Sequence, residues 1–233
     1  ARFWRGASSP ASDPWPSMAP KGLKLGSKVW VKDQDTKNPD VFVQAELKGI
    51  VGGHISVETI KGDTFQTDTF FPANPPDVDQ SDHTALLHLS DATLLHNTRL
   101  RYSRDDIYTY VGPILVSVNP FKYIPKLYAP EIMQDAKKYP VGHPDRPAHT
   151  FSMAEAAYQQ MCKRRCHQSL VVSGESGAGK TEVNKQCMNY LVWRASSEEH
   201  ADLSTRILQS NPVLEATGNA KTVRTSTPHL PSP

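Results

Sequence analysis

The hydrophobic and polar positions change pattern as the chain proceeds. Residues 1–20 carry four prolines among serines and alanines, and this composition predicts a disordered lead-in because it buries too little to offset the entropy lost on ordering. Residues 21–76 show short alternating runs, with strands expected over 29–31, 41–47 and 55–60. The glycine pair at 52–53 is a strong hairpin signal. This stretch predicts a small N-terminal β-barrel or sandwich.

The pattern becomes mixed after residue 80. Leucines at 86, 89, 94 and 95 recur at roughly helical spacing, and Ser90 with Asp91 can cap a helix turn. Residues 107–119 are rich in β-branched and aromatic side chains and are interrupted at Gly112 and Pro113. They predict two strands joined by a turn.

Apolar positions at helical spacing recur further along the chain. One stripe predicts a helix that ends near Cys166, and it comprises Phe151, Ala154, Tyr158, Met161 and Cys162. Residues 169–173, SLVVS, predict a buried strand that leads directly into a glycine-rich loop. Val183, Cys187 and Leu191 predict a helix after that loop, and another is expected over 203–209.

The glycine-rich loop carries the chemistry. Gly174, Gly179, Lys180 and Thr181 satisfy the spacing G-x-x-x-x-G-K-[ST]. The glycines let successive N–H groups point at phosphate oxygens, and the following helix adds its partial positive charge. Lys180 supplies a full charge for the β- and γ-phosphates, and Thr181 offers a hydroxyl to Mg²⁺. A chance match in a glycine-containing turn is the alternative, and the expected strand before the loop and helix after it disfavour that alternative.

Composition and charge exclude other classes of protein. The formal net charge is +2, from 26 Lys and Arg against 24 Asp and Glu, without a concentrated basic patch, so we expect no nucleic-acid partner. No apolar run approaches the roughly 20 residues that cross a bilayer, so we expect no membrane span. Three cysteines form no disulfide framework and are typical of reduced thiols in the cytosol.

Four segments in order resemble myosin motor heads. GESGAGKTE preceded by HQSLVVS is similar to the myosin phosphate loop and the strand before it. Residues 101–122 resemble the stretch that begins the transducer sheet and ends in the adenine pocket, and residues 149–161 resemble the helix before the phosphate loop. Residues 207–224 resemble the segment that leads to switch I, and residues 25–75 are similar to the Src-homology-3-like subdomain of many myosin heads.

The resemblance implies roles for particular residues, with ATP and Mg²⁺ as cofactors. Lys180 would be the catalytic residue and Thr181 the magnesium ligand. Asn119, Pro120, Phe121 and Lys122 match the family's NPFK beside the adenine. Tyr128 corresponds to a tyrosine of the same pocket, although the spacing here is one residue longer. The triphosphate would lie on the whole loop: Gly174, Glu175, Ser176, Gly177, Ala178, Gly179, Lys180 and Thr181.

The sequence also departs from the family. Thr217 replaces an aromatic residue in EATGNAKT, and the resemblance stops after Arg224, so residues 225–233 form a non-matching tail. The expected fold is therefore an α/β P-loop NTPase over residues 80–224, as a partial myosin motor with an incomplete central sheet that ends before switch I. We expect such a chain to bind Mg-ATP weakly and to hydrolyse it negligibly, because in myosins the groups that hydrolysis needs come largely from switches I and II.

Three functions remain open. The first is the N-terminal part of an actin-based motor, which would be cytoplasmic and associated with the cytoskeleton and would reach actin filaments through other parts of the parent protein. The second is a non-motor nucleotide-binding or interaction module that arises by truncation. The third is an unrelated P-loop kinase or ATPase, which lacks support because nothing downstream resembles a lid or an acceptor site.

Overall fold

The computed structural model describes residues 23–33, 41–51, 54–76 and 79–196. The predicted lead-in, the helix expected over 203–209, the segment similar to the approach to switch I and the tail lie outside these residues. The chain divides into two compact units, one up to Asn74 and one from Pro75 onward.

The described part of the first unit forms an antiparallel sheet of five strands. In chain order these are β1 (Lys28–Lys32), β2 (Phe42–Val51), β3 (His54–Thr59), β4 (Thr64–Thr67) and β5 (Phe70–Pro72). Their spatial order is β4-β3-β2-β1-β5. The predicted hairpin is confirmed, because β2 and β3 pair from Val51 opposite His54 back to Ala45 opposite Thr59. Closure of this sheet into a barrel remains a prediction.

Side chains at alternate positions form the core of the first unit. Alternation puts one face of each strand inward, and the fully enclosed residues are Val29, Val31, Ala45, Leu47, Ile55 and Val57. Strand β2 continues to Val51, beyond the strand expected over 41–47, and its register shifts at a bulge between Leu47 and Gly49. Strands β4 and β5 lie at opposite edges of the sheet.

Within its described residues, the second unit contains four α-helices and a hairpin. Its elements are α1 (Asp91–Ser103), β6 (Tyr108–Val111), β7 (Ile114–Ser117), α2 (Pro130–Lys138), α3 (Thr150–Arg164) and α4 (Lys180–Ala195), preceded by a 3-10 turn at His83–Ala85. The predicted cap of α1 is confirmed: the Ser90 hydroxyl accepts from the Thr93 amide, and the Thr93 hydroxyl accepts from the Ser90 amide. The leucines at 86 and 89 lie before this helix, and α2 was not predicted.

Helices α3 and α4 pack around aromatic and small side chains. Phe151 and Ala154 of α3 are fully buried, as is Tyr190 of α4. The carboxylate of Glu155, 1 % exposed, accepts hydrogen bonds from Tyr190 Oη at 2.9 Å and Arg194 Nε at 3.0 Å. These contacts hold the C-terminal part of α4 against α3.

The prediction of a buried strand over residues 169–173 is wrong. This segment has no regular secondary structure and pairs with none of the strands in the described ranges, and Val171 is 89 % exposed. A strand exists only where a neighbouring strand satisfies its amide and carbonyl groups. The hydrophobic pattern of SLVVS favours a strand but does not report whether such a neighbour is available. The stripe predicted on α3 is also too long, since Met161 and Cys162 are exposed.

Candidate functional site

The loop of residues 174–179 leads directly into α4. Gly177 and Gly179 have φ angles of 80° and 95°, in the left-handed region that a side chain disfavours. At Gly174, a Cβ atom would lie 3.2 Å from the Cβ of Ala178, closer than ordinary side-chain contacts. The backbone therefore depends on glycine at all three positions to form this tight curl.

The side chain of Lys180 turns back over the loop. Its Nζ donates hydrogen bonds to the carbonyl oxygens of Gly174 at 2.9 Å and Glu175 at 2.8 Å. The ammonium group thus lies beside the curl rather than extending away into solvent. A cation held in this way can attract an anion to the loop, and its third N–H group remains available as a donor to that anion.

The start of α4 adds a second source of positive potential. Its N-cap residue is Gly179, which has no side chain to cap the first amide groups, and the first helical hydrogen bond runs from Val183 N to Gly179 O at 3.0 Å. Amide groups at an uncapped helix start are suitable donors to phosphate oxygens. Thr181 lies exposed in this first turn, where its hydroxyl is accessible.

Asn119 connects the predicted adenine segment to the glycine-rich loop. Its Nδ2 donates to the Gly177 carbonyl at 3.0 Å, while its Oδ1 accepts from the Phe121 amide at 2.9 Å. One amide side chain thus orders its own turn and links that turn to the loop. Both segments were expected from the sequence to hold nucleotide, and they meet at this hydrogen bond.

The other residues of NPFK have different surroundings. The Pro120 carbonyl accepts a hydrogen bond from Tyr102 Oη at 3.2 Å. Phe121 is 61 % exposed and has a left-handed φ of 50°, so its ring is available to a ligand. Lys122 Nζ lies 2.5 Å from Asp105 Oδ1 in a partly exposed ion pair.

Tyr128 lies in an aromatic cluster. Its hydroxyl is 2.9 Å from the hydroxyl of Tyr108, and its ring packs against His149 and Phe151 at centroid distances of 5.7 and 5.9 Å. Burial raises the pKa of the Tyr128 phenol, so it stays protonated. The resemblance assigned this side chain to the adenine pocket, whereas its hydroxyl is already engaged by Tyr108.

His149 was not selected from the sequence. It is 4 % exposed and caps α3, with Nδ1 accepting from the Phe151 amide at 3.1 Å and Nε2 lying 3.1 Å from the Leu127 carbonyl. Burial lowers the pKa of this imidazole to about 4, so the ring is neutral, with its proton on Nε2. The available sequence signal was its position just before an apolar helical stripe, but histidine is not a usual N-cap residue.

A cavity of about 330 Å³ adjoins the glycine-rich loop. β7 and residues 170–173 contribute mainly apolar side chains, and Lys180, Val183 and Cys187 line it from α4. The Cys187 thiol is 3.1 Å from the Thr150 hydroxyl, and burial raises its pKa. The thiol is therefore protonated and serves as a small apolar group in this wall.

The loop and the helix form a candidate anion-binding site, and comparison with known proteins identifies the family of the chain. The Myosin head (motor domain) family matches residues 80–227. The chain is 39% identical over 211 residues to Myosin-5 of Arabidopsis thaliana and 40% identical over 207 residues to Unconventional myosin-VI of Homo sapiens. The chain therefore belongs to the myosin motor head family.

The relatives are much longer than this chain. The alignment with Myosin-5 covers 89% of this chain and 14% of that protein, and the alignment with Unconventional myosin-VI covers 87% and 15%. The chain thus spans about one seventh of the length of the curated relatives it matches. Within the ranges described above, no helix is both long enough and apolar enough to cross a membrane.

Proposed function

We propose that this chain holds Mg-ATP as the N-terminal part of an actin-based motor head. The observation that carries the proposal is the position of Lys180 Nζ, within 2.9 Å of two carbonyl oxygens of the curl that precedes α4. A cation, an uncapped helix start and a glycine-dependent backbone converge on one point, and a triphosphate is the ligand that best uses all three.

The residues present fit the phosphates of ATP. Lys180 would neutralise charge on the β- and γ-phosphates, the amides of residues 174–181 would donate to their oxygens, and Thr181 would give its hydroxyl to Mg²⁺. Magnesium, when bound, neutralises phosphate charge. The base of ATP would lie at the turn that contains Asn119 and the exposed ring of Phe121, because Asn119 connects that turn to Gly177 of the glycine-rich loop.

In this proposal, movement along actin is an activity of the whole parent protein, of which this chain is one part. Myosin family membership supports coupling of ATP hydrolysis to movement along actin, in the cytoplasm and in association with the cytoskeleton. We infer that actin contacts lie in other parts of such a protein, and that these 233 residues by themselves bind nucleotide with negligible turnover. Actin-activated ATPase at the rate of a whole motor head, from this polypeptide, would contradict that inference.

The alternative is a non-motor interaction module. It is supported by the first unit, whose core includes the fully buried Val29, Leu47 and Val57 and which forms a compact body up to Asn74. On this alternative, the chain would act through that sheet and nucleotide binding would be incidental. Substitution of Lys180 separates the two functions. If the chain is an interaction module, this substitution would leave its binding to a partner unchanged.

Titration with labelled ATP tests the proposal. The purified chain, in Mg²⁺, should bind ATP saturably, and Lys180→Ala should weaken binding at least tenfold, since the change removes a charge-assisted contact with the phosphates. Lys185→Ala, on the exposed surface of the same helix, is the matched control and should bind as the unchanged chain does. Equal weakening in both variants would show that general charge, rather than this site, attracts the nucleotide.

The proposed role of Thr181 has its own test. Thr181→Val keeps the shape of the side chain but removes the hydroxyl, so ATP binding should lose most of its dependence on Mg²⁺. Thr181→Ser restores a hydroxyl and should restore that dependence. If Thr181→Val retains the same response to magnesium chelation as the unchanged chain, the assignment of this ligand is wrong.

A further inference from the structure

The segment between β7 and α2 needs support from outside itself. Residues 118–129 contain neither helix nor strand, and Phe121 and Lys126 have φ angles of 50° and 63°. A side chain in the left-handed region costs about 1 kcal/mol per residue, and surrounding contacts must offset that cost. We call residues 119–129 the base-side loop, because it begins with the turn that contacts the glycine-rich loop.

Tyr102, at the C-terminal end of α1, holds the beginning of the base-side loop. Its hydroxyl lies 3.3 Å from the Asn119 carbonyl and 3.2 Å from the Pro120 carbonyl. A phenol has one proton, so the two carbonyls share it in a bifurcated hydrogen bond. The tyrosine fixes the backbone of the residue whose side chain contacts Gly177.

His149 holds the other end of the base-side loop. Because Nδ1 accepts from the Phe151 amide, the proton is on Nε2, which donates to the Leu127 carbonyl. The imidazole also packs edge-on against Tyr108 at 4.8 Å and against Tyr128 at 5.7 Å. The start of α3 is thereby bonded to the chain just before α2.

We propose that Tyr102 and His149 are positioning residues that fasten the two ends of the base-side loop and so set the affinity for the base of the nucleotide. The proposal rests on the proposed function above. Neither residue contacts the phosphate-holding curl in the structure; Tyr102 acts through the backbone of Asn119, and His149 through Leu127. Their effect should therefore fall on recognition of the base and not on recognition of the phosphates.

A comparison of ATP with inorganic tripolyphosphate tests this division. Tripolyphosphate carries the phosphate chain without a base, so it reports on the glycine-rich loop alone. Tyr102→Phe removes only the hydroxyl. His149→Asn keeps an acceptor near the position of Nδ1 to cap α3 but is too short to reach Leu127. Each variant should weaken ATP about fivefold, as expected for one lost hydrogen bond, and change tripolyphosphate affinity less than about twofold.

Tyr110→Phe is the matched control. Its hydroxyl also donates to a proline carbonyl, that of Pro147 at 3.1 Å, but outside the base-side loop. It should leave both affinities unchanged, and thermal melting of all variants shows how much general destabilisation contributes. If His149→Asn does not fold, Tyr102→Phe carries the test alone.

The outcomes separate the inference from the proposed function. If the unchanged chain binds neither ATP nor tripolyphosphate, both fail. If Lys180→Ala loses both ligands while Tyr102→Phe and a folded His149→Asn retain full ATP affinity, the positioning role alone is wrong. A parallel loss of ATP and tripolyphosphate in the two positioning variants, or an equal effect of Tyr110→Phe on ATP, also overturns the positioning role.

Discussion

The side-chain amide of Asn119 donates a hydrogen bond to the backbone carbonyl of Gly177 across a distance of 3.0 Å. Fifty-eight residues of chain separate these two groups. The contact joins the turn after the β6–β7 hairpin to the glycine-rich loop before α4. The position of these two segments relative to each other therefore depends on one side chain.

Replacement of Asn119 by Asp should loosen this connection. The carboxylate still accepts from the Phe121 amide but cannot donate to Gly177, and two oxygens then face one another. We expect a loss of about 1–2 kcal/mol in unfolding free energy and a clear weakening of ATP binding. Urea unfolding and nucleotide titration measure the two effects.

The control for this change is Asn97→Asp. Asn97 makes a similar pair of hydrogen bonds with the backbone of Gln80, at 2.9 and 3.0 Å, at a place that contributes nothing to the glycine-rich loop. It should lose stability without a specific loss of ATP affinity. Unchanged nucleotide affinity in a folded Asn119→Asp variant would contradict the proposed link.

Replacement of Gly179 by Ala should damage the loop through backbone strain. The φ of 95° is unfavourable for a residue with a side chain, so we expect the unfolding free energy to fall by about 1–2 kcal/mol. We also expect ATP binding to be lost. Gly142, with φ 85° and nothing within 4 Å of a Cβ atom, gives the matched variant. Gly142→Ala should show a similar fall in unfolding free energy by denaturant titration but retain nucleotide binding. Equal retention of binding in both variants would disprove the dependence on loop shape.

Replacement of Glu155 by Gln should separate α3 from α4. Glu155 is buried, and its carboxylate oxygens together accept from Gln159, Tyr190 and Arg194. The neutral amide leaves Arg194 without its counterion, and its N–H group faces other hydrogen-bond donors. We therefore expect a loss of about 3 kcal/mol in unfolding free energy. Urea unfolding measures it. The same exchange at exposed Glu131 should cost less than about 0.5 kcal/mol, and a comparable loss at both sites would refute this account.

Stability should fall as the solution is acidified, partly because of His149. Its pKa is about 4 in the folded chain against an ordinary 6.5, so the unfolded chain binds the proton more readily between these values. The imidazole's contribution is therefore complete above pH 6.5 and is lost progressively as pH falls towards 4. This contribution of the imidazole to the unfolding free energy is about 3 kcal/mol in total. Chemical unfolding between pH 7 and 4 should give a shallower dependence for His149→Asn, and identical slopes would exclude the histidine as the cause.

The free edge of β7 should promote self-association. In the described ranges β7 pairs only with β6, and Ile114 at its start is 63 % exposed. Open edges with apolar side chains template pairing with other chains. Ile114→Lys should reduce light scattering on concentration, whereas Leu87→Lys, at a residue that is 74 % exposed but lies outside the described strands, should reduce it less. Equal effects would assign the association to general hydrophobicity.

Local signals accounted for the parts of the molecule that the sequence predicted correctly. The hairpin between β2 and β3, the Ser90 cap of α1 and the start of α4 after Gly179 each depend on neighbouring residues. Short-range steric preferences and capping bonds act over a few positions, so the pattern contains the necessary information. The glycine-rich motif is of the same kind, since its residues lie within eight positions of one another.

Tertiary structure decided the remainder. Residues 169–173 have a strand-like composition but lack a neighbour to pair with, and no local pattern reports whether a neighbour is available. Tyr128 and His149 acquired their roles from partners 20 or more positions away, Tyr108 and Leu127 respectively. The sequence by itself determined the glycine-rich motif and the family that the chain resembles. Only the tertiary structure decided which contacts hold the residues around the glycine-rich loop in place, because hydrogen bonds and packing between distant segments depend on the whole arrangement.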